Sequence, residues 1–267
     1  PEHWSALRVV LTSTELDVLE RSLAAEEGTA PEEEPDEVDR PGFREAVRSL
    51  TVRGVLAPDG RLADGMLGVW LGTALAARFA PGVVLSVVRT VAGRVEDSLA
   101  TDLVGDPHAG HGDRLVHLTH RVACVEDVLP EGVQLALGEP GQAVDEVVSV
   151  CVPADASAGT GPAFTHALAG LARPDGALAH ALGRPTSLVR LEADVPRHVA
   201  AAGGGRPALP PPSCHLVALG PRGCWVADLP AGPPATVAEF RPVGPGWVED
   251  WVRARAEPFS GQGTMAG

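Results

Sequence analysis

Two HxxH pairs lie close together, His108-Ala109-Gly110-His111 and His117-Leu118-Thr119-His120, with Asp106 and Asp113 beside them. Imidazole and carboxylate are ordinary zinc ligands, so a metal site is the first chemistry to weigh. The first pair stands in a Gly/Asp/Pro-rich loop. The second falls in a β-branched run that reads as a strand, where residues three apart point to opposite faces. Only one of His117 and His120 can then join a site with His108 and His111, and neither a metal nor another cofactor is expected.

Other nucleophiles fare no better. Ser98, Ser149 and Ser213 could each pair with a histidine and an acid, but none stands in a GxSxG elbow. Cys124, Cys151, Cys214 and Cys224 are scattered without a CxxC pair, which fits a reducing compartment better than a disulfide framework. Cys224 beside Trp225 reads as a small buried hydrophobe, since no nearby cation would lower its pKa. Gly203-Gly204-Gly205 has no strand leading through it into a helix, so it lacks the setting of a phosphate loop. No catalytic residue is assigned, and a metal-dependent or small-molecule-binding enzyme of unknown reaction stays as the alternative reading.

Composition narrows the partners. The chain of 267 residues carries a formal charge of -14 and a pI near 5.0, which repels nucleic acid and anionic membrane surfaces. All 21 basic residues are arginine, with no lysine and no tyrosine, the mark of a GC-rich bacterial genome. At 45% hydrophobic it has ample material for a core. The stretch Met66 to Val88 is apolar enough to suggest a membrane span, but Arg78 and the Pro81-Gly82 breaker lie inside it. A buried helix followed by a buried strand is the better reading. Pro1-Glu2-His3-Trp4 shows no basic region leading into an apolar stretch, so a cytoplasmic location is expected.

The elements that would position any site follow from the patterning. Leu7 to Leu11 suits a strand, and Thr12-Ser13-Thr14-Glu15 matches a capping box opening a helix striped by Leu16, Leu19 and Leu23. Glu26 to Asp39 is an acidic, proline-bearing block expected to be a mobile loop without calcium-loop spacing. Gly42 to Arg53 predicts a second helix ended by Gly54, and Asp64 is placed to cap a third with Met66, Leu67, Trp70, Leu71, Ala74 and Leu75 on its buried side. Strands are expected at Val83 to Val88, Ser98 to Val104, Arg114 to His120, Val122 to Val128 and Val133 to Leu137, then a helix from Gln142 to Val150. Phe164 to Leu171 and Ala177 to Leu182 read as helices, Ser187 to Ala193 as a strand, and Ala200 to Pro212 as a Gly/Pro-rich loop. His215 to Leu219 and Cys224 to Asp228 flank a hairpin turn, before a strand at Thr236 to Arg241 and a helix from Trp247 to Ala256. Trp247 and Trp251 share a helix face, either as core or as the centre of an interface.

One internal resemblance organises these pieces. Cys124-Val125-Glu126-Asp127-Val128-Leu129-Pro130 lies one hundred positions before Cys224-Trp225-Val226-Ala227-Asp228-Leu229-Pro230, and each is followed by a strand, a proline and an apolar-acidic helix. The expected fold is therefore α+β, two pseudo-symmetric halves at 1–155 and 156–267 that join their strands into one curved, mostly antiparallel sheet with helices packed at its ends and form one compact domain.

This layout resembles the EspG family, the cytoplasmic substrate chaperones of actinobacterial type VII (ESX) secretion. The resemblance rests on the opening strand and helix (Leu7 to Leu23), the helix end and turn from Leu50-Thr51-Val52-Arg53-Gly54-Val55-Leu56 through Pro58-Asp59-Gly60-Arg61-Leu62, the β-rich middle, and the repeated hairpin, strand and final helix. It implies a quasi-two-fold fold with a central antiparallel sheet and two helical bundles, and a non-catalytic protein that binds a helical PE/PPE-type heterodimer and keeps it soluble for export. The chain itself is expected to be a monomer or homodimer. The acidic insertion and the Gly/Pro-rich loop depart from the family pattern, and no partner-binding residue is carried over.

Overall fold

The computed structural model describes residues 7–26, 41–91, 114–129, 132–168, 176–196, 211–230 and 235–259. The acidic block beyond Glu26, the expected strand at Ser98 to Val104 and most of the Gly/Pro-rich loop lie outside the described residues. So do His108, His111 and the triple glycine.

Strand β1 (Arg8–Thr12) alternates buried Val9 and Leu11 with exposed neighbours and runs directly into helix α1 (Ser13–Glu26). Thr12 Oγ1 accepts the Glu15 N–H at 3.1 Å while the Glu15 carboxylate accepts the Thr12 N–H at 3.0 Å. That reciprocal pair satisfies two helix-end donors and holds the strand-to-helix corner. Helix α2 (Pro41–Val52) closes at Gly54, whose φ of 71° lets the Val55 N–H reach the Leu50 carbonyl.

Helix α3 (Met66–Phe79) differs from expectation at its start. Gly65, not Asp64, holds the capping position, and no side chain caps the helix. A Cβ at Gly68 would lie 2.0 Å from the Ala63 carbonyl oxygen, so the chain turns in tightly where only glycine fits. Leu71, Ala74 and Leu75 are buried as the pattern required and Ala77 joins them, while Leu67 and Trp70 are only partly buried and Met66 is 84% exposed. The apolar stretch breaks at Pro81-Gly82 into this helix and strand β2 (Val83–Val91), and among the described residues no helix is long and apolar enough to cross a membrane.

Strands β3 (Arg114–Leu118), β4 (Ala123–Leu129) and β5 (Gly132–Gly138) form a meander that leads into helix α4 (Pro140–Cys151). Glu139 and Gln142 form a second capping box there, with proline in the first turn. Strand β6 (Phe164–Ala167) occupies the start of the segment expected to be helical. Its Phe164 stacks on Phe240 at 5.6 Å and meets Trp225 edge-on at 5.2 Å, so pairing with a neighbouring strand overrode the local helical spacing. Helix α5 (Ala177–Ala181), strands β7 (Ser187–Asp194), β8 (Ser213–Gly220), β9 (Gly223–Leu229) and β10 (Val237–Val243), helix α6 (Trp247–Ala256) and a 3₁₀ turn (Glu257–Phe259) complete the described chain.

Among the described residues all ten strands join one antiparallel sheet in the order β1-β5-β4-β3-β2-β7-β8-β9-β10-β6. Read outward from the centre, one side runs β2-β3-β4-β5-β1 and the other β7-β8-β9-β10-β6. One face is covered along its middle by α4 and α6, which pack on each other over Val87, Val116, Val125, Leu191, Val217 and Val226. The opposite face carries two separate clusters. Helices α1, α2 and α3 sit over β1, β5 and β4, while α5 and Phe240 enclose a smaller one over β8, β9 and β10. The fold is α+β with a large central antiparallel sheet.

Strand β4 lies between β3 and β5, and β9 between β8 and β10. Their faces refine the alignment by number: Cys124 is buried under the α1–α3 bundle, whereas Cys224 faces α4 and α6. A shift of one residue inverts a strand's faces. Matching faces pairs Val125 with Val226 and Asp127 with Asp228, an offset of 101 instead of 100.

Candidate functional site

Of the histidines weighed as metal ligands, the two among the described residues, His117 and His120, are separated. His117 is buried on β3 under the α1–α3 bundle, with Nε2 donating to Glu126 Oε2 at 3.2 Å. His120 is exposed beyond the strand end and lies 5.3 Å from the Phe259 ring, on the side of the sheet that carries α4 and α6. Among the described residues no group of three or more His, Cys, Asp or Glu side chains could hold a metal ion.

His117 belongs instead to a buried ionic network. Arg78 of α3 donates through Nε to Glu126 at 2.7 Å and through a terminal nitrogen to Glu20 of α1. Burial alone would raise the Glu126 pKa, but His117 and Arg78 outweigh it and hold the carboxyl below its ordinary range. The network ties two helices to the sheet, a structural role. The same logic holds for Glu15, where burial is outweighed by the Thr12 N–H, Ser49 and Arg53.

Two cross-strand pairs on the other face are more telling. In β3/β4, Arg114 stands opposite Asp127 and donates to it at 2.6 Å, while Glu146 of α4 accepts a second bond at 3.0 Å. In β8/β9, His215 stands opposite Asp228, with Nδ1 2.8 Å from Oδ1. His215 lies against Trp247 and Trp251 of α6, ring centroids 5.2 and 5.8 Å away. The Arg255 guanidinium sits 3.9 Å over the Trp251 ring and donates to the Trp251 carbonyl and, at 2.7 Å, to Ser213 Oγ. Burial lowers the His215 pKa against the partial support of Asp228, and Arg255 and Arg241 push the same way.

Ser213, His215 and Asp228 thus come together, which the sequence reading had raised only as a general option for Ser213. They do not form a relay. The Ser213 hydroxyl is held by Arg255, and His215 Nε2 is buried with no hydrogen-bond partner. Catalysis needs a nucleophile–base bond within reach of substrate, and that bond is missing here. Ser149 merely donates to the Glu146 carbonyl at 3.0 Å. Trp251 is 6% exposed and belongs to the core, while Trp247 is only partly buried.

The thiols are equally unsuited to chemistry. Burial pushes the Cys124 pKa up to about 12, and it raises those of Cys214 and Cys224 as well. At about pH 8 these three thiols are expected to resist iodoacetamide in the folded protein and to react promptly in denaturant, a contrast read directly by mass spectrometry. Fast alkylation of native Cys124 would contradict the buried environment described.

Among the described residues α3 carries an accessible apolar face. Met66, Val69, Ala76 and Phe79 recur at helical spacing on its outer side, with Met66, Val69 and Phe79 84%, 60% and 47% exposed. The one charged residue of the helix, Arg78, is turned inward to the ionic network, so this outer face bears no charge. Sequence patterning had assigned Met66 to the core and had offered Trp247 and Trp251, not α3, as the alternative interface.

No family model matches the chain, and no curated relative matches it by sequence. Among solved structures it is similar to the type VII secretion system chaperone EspG5 of Mycobacterium tuberculosis, determined in complex with a PE25-PPE41 dimer. The TM-score is 0.50 at 11% identity, covering 94% of this chain and 96% of that one. The chain therefore has an EspG-like fold.

Proposed function

We propose that this protein is a non-catalytic, cytoplasmic chaperone or adaptor that holds a helical protein partner, a PE/PPE-type heterodimer destined for type VII export. The observation that carries the reading is a fold shared along 94% of the chain with a secretion chaperone whose own structure holds a PE–PPE dimer. The uncharged outer face of α3 supports it, because an exposed apolar helix face is what a helical partner would cover. We further infer that residues 1–155 and 156–267 are two halves related by a pseudo-two-fold axis beside Val87 and Leu191. The matching strand orders on either side of β2 and β7, and the shared Asp127 and Asp228 positions, support that relation.

Co-expression with PE/PPE-type pairs from the source genome tests the function. A stable ternary complex on size exclusion is the expected result. Replacing Met66 and Val69 together with arginine should leave the circular dichroism and melting temperature unchanged and weaken that complex about thirtyfold or more. If no such pair co-elutes with the wild-type chain, the chaperone reading fails. If the double variant binds as tightly as wild type, the contact lies elsewhere and α3 is not the surface.

A further inference from the structure

We propose that the Trp251–Arg255 edge of α6 is a binding site for a small anion of halide or carboxylate size. Three arginines are buried among the described residues. Arg114 pairs with Asp127 and Glu146, and Arg190 with Glu192. Arg255 is different: its partners are a carbonyl, a hydroxyl and an indole face, all neutral, in a chain with 35 acidic against 21 basic residues. The helix-end carbonyl and the indole offset part of the cost of burying this charge. They leave the Arg255 Nε–H without an acceptor.

The neighbouring polar atoms point the same way. His215 Nε2, Trp251 Nε1 and Arg255 Nε are all buried without a hydrogen-bond partner, and all three belong to side chains in contact around one indole. Trp251 Nε1 and Arg255 Nε are donors, and His215 Nε2, a lone-pair acceptor while Nδ1–H is given to Asp228, becomes a third donor only when the ring is protonated. Two unpaired buried donors beside an uncompensated guanidinium mark the place of a missing acceptor. The corresponding cross-strand place in the other half identifies what is missing. There, Arg114 is met by Asp127 from the sheet and by Glu146 from the overlying helix. Here Asp228 supplies the sheet carboxylate, but α6 contributes Trp247, Trp251 and Arg255 where α4 contributed Glu146. An anion taken from solution would supply the second negative charge. Because the three atoms are sealed from bulk water, only a small ion can reach them, which disfavours phosphate and sulfate.

The inference is independent of the chaperone reading and is tested on the full chain alone. At fixed ionic strength, sodium gluconate, too bulky for the site, is exchanged stepwise for sodium chloride in one arm and sodium acetate in the other. Tryptophan fluorescence and melting temperature are followed. A saturable fluorescence change is expected, with a rise in melting temperature of about 3–6 °C at about ten times the dissociation constant. Saturation by chloride alone identifies a halide site, by acetate alone a carboxylate site, and by both a general small-anion site. Arg255→Gln should abolish the saturable response. Should that variant fail to fold, Trp251→Phe keeps an aromatic face without the N–H and should weaken binding about fivefold. A response that never saturates, or one that survives unchanged in Trp251→Phe and in folded Arg255→Gln, would overturn the proposal.

Discussion

Arg78→Met is expected to lower the unfolding free energy by about 3–5 kcal/mol, or about 6–20 °C in melting temperature. The loss does not come from the ion pair's own strength. Glu126 is 6% exposed at its side chain and Arg78 18%, so removing the guanidinium strands one buried carboxylate with only His117 beside it. Arg78→Met combined with Glu126→Gln should recover most of the loss, because no charge is then left buried. Denaturation across pH checks the assignment. Glu126 is held below its ordinary value in the folded wild type, so its contribution is present above an unfolded carboxyl pKa of about 4.3 and fades as pH falls through the lower folded value. In Arg78→Met the stranded carboxyl prefers to be protonated, so acid relieves the variant. The gap between wild type and variant should therefore narrow as pH falls, beginning above the unfolded value of about 4.3, where the variant's carboxyl takes up its proton, and continuing down to the lower folded value of the wild type. A gap that stays constant with pH would show that the loss arises from packing of the arginine stem and not from charge.

Arg78 also shows how far the sequence could lead. Its place inside an apolar stretch argued against a membrane span, and that inference needed only the cost of an unpaired charge. The partners Glu20 and Glu126, 58 and 48 residues away, could not be read because a helix pattern fixes which face is apolar and not which distant carboxylate meets it. The Thr12–Glu15 corner was legible because both partners lie within one turn. The helix expected from Phe164 failed for the opposite reason. Phe164, Leu168 and Leu171 have helical spacing, but Phe164 packs with Phe240 and Trp225 as part of an edge strand, a contact with no local signature. Asp64 was a reasonable cap, yet the tight approach of Gly68 to the Ala63 carbonyl begins the helix one residue later than that cap would.

The His215 site was hidden by a single residue. Aligning the two stretches by number at Cys124 and Cys224 puts Asp127 opposite Ala227. Under the proposed pseudo-two-fold, aligning by the buried face pairs Asp127 with Asp228 and, across the hairpins, Arg114 with His215. The period-2 alternation of apolar residues in the two strands carried that signal, and identity of the cysteines outweighed it.

Trp251→Ala should cost about 3–5 kcal/mol and Trp247→Ala only about 1 kcal/mol, although the two lie four residues apart on one helix face. Trp251 is 6% exposed within the cluster shared by α4, α6 and the sheet centre, so its removal leaves a cavity that the sheet cannot collapse to fill. It also uncovers His215 and takes the indole from under Arg255, leaving that buried cation with a carbonyl and a hydroxyl alone. Trp247 caps the same site from its outer side, 5.2 Å from His215 and 5.9 Å from Arg241, with one flank already in water. Urea denaturation of the two variants, with unchanged m-values, is the measurement. The expected inequality follows from depth alone, since both are tryptophans on one helix against one histidine. Equal losses would mean that the end of α6 is anchored by the aromatic box around His215 as a unit, and that Trp247 belongs to the core despite its exposed edge.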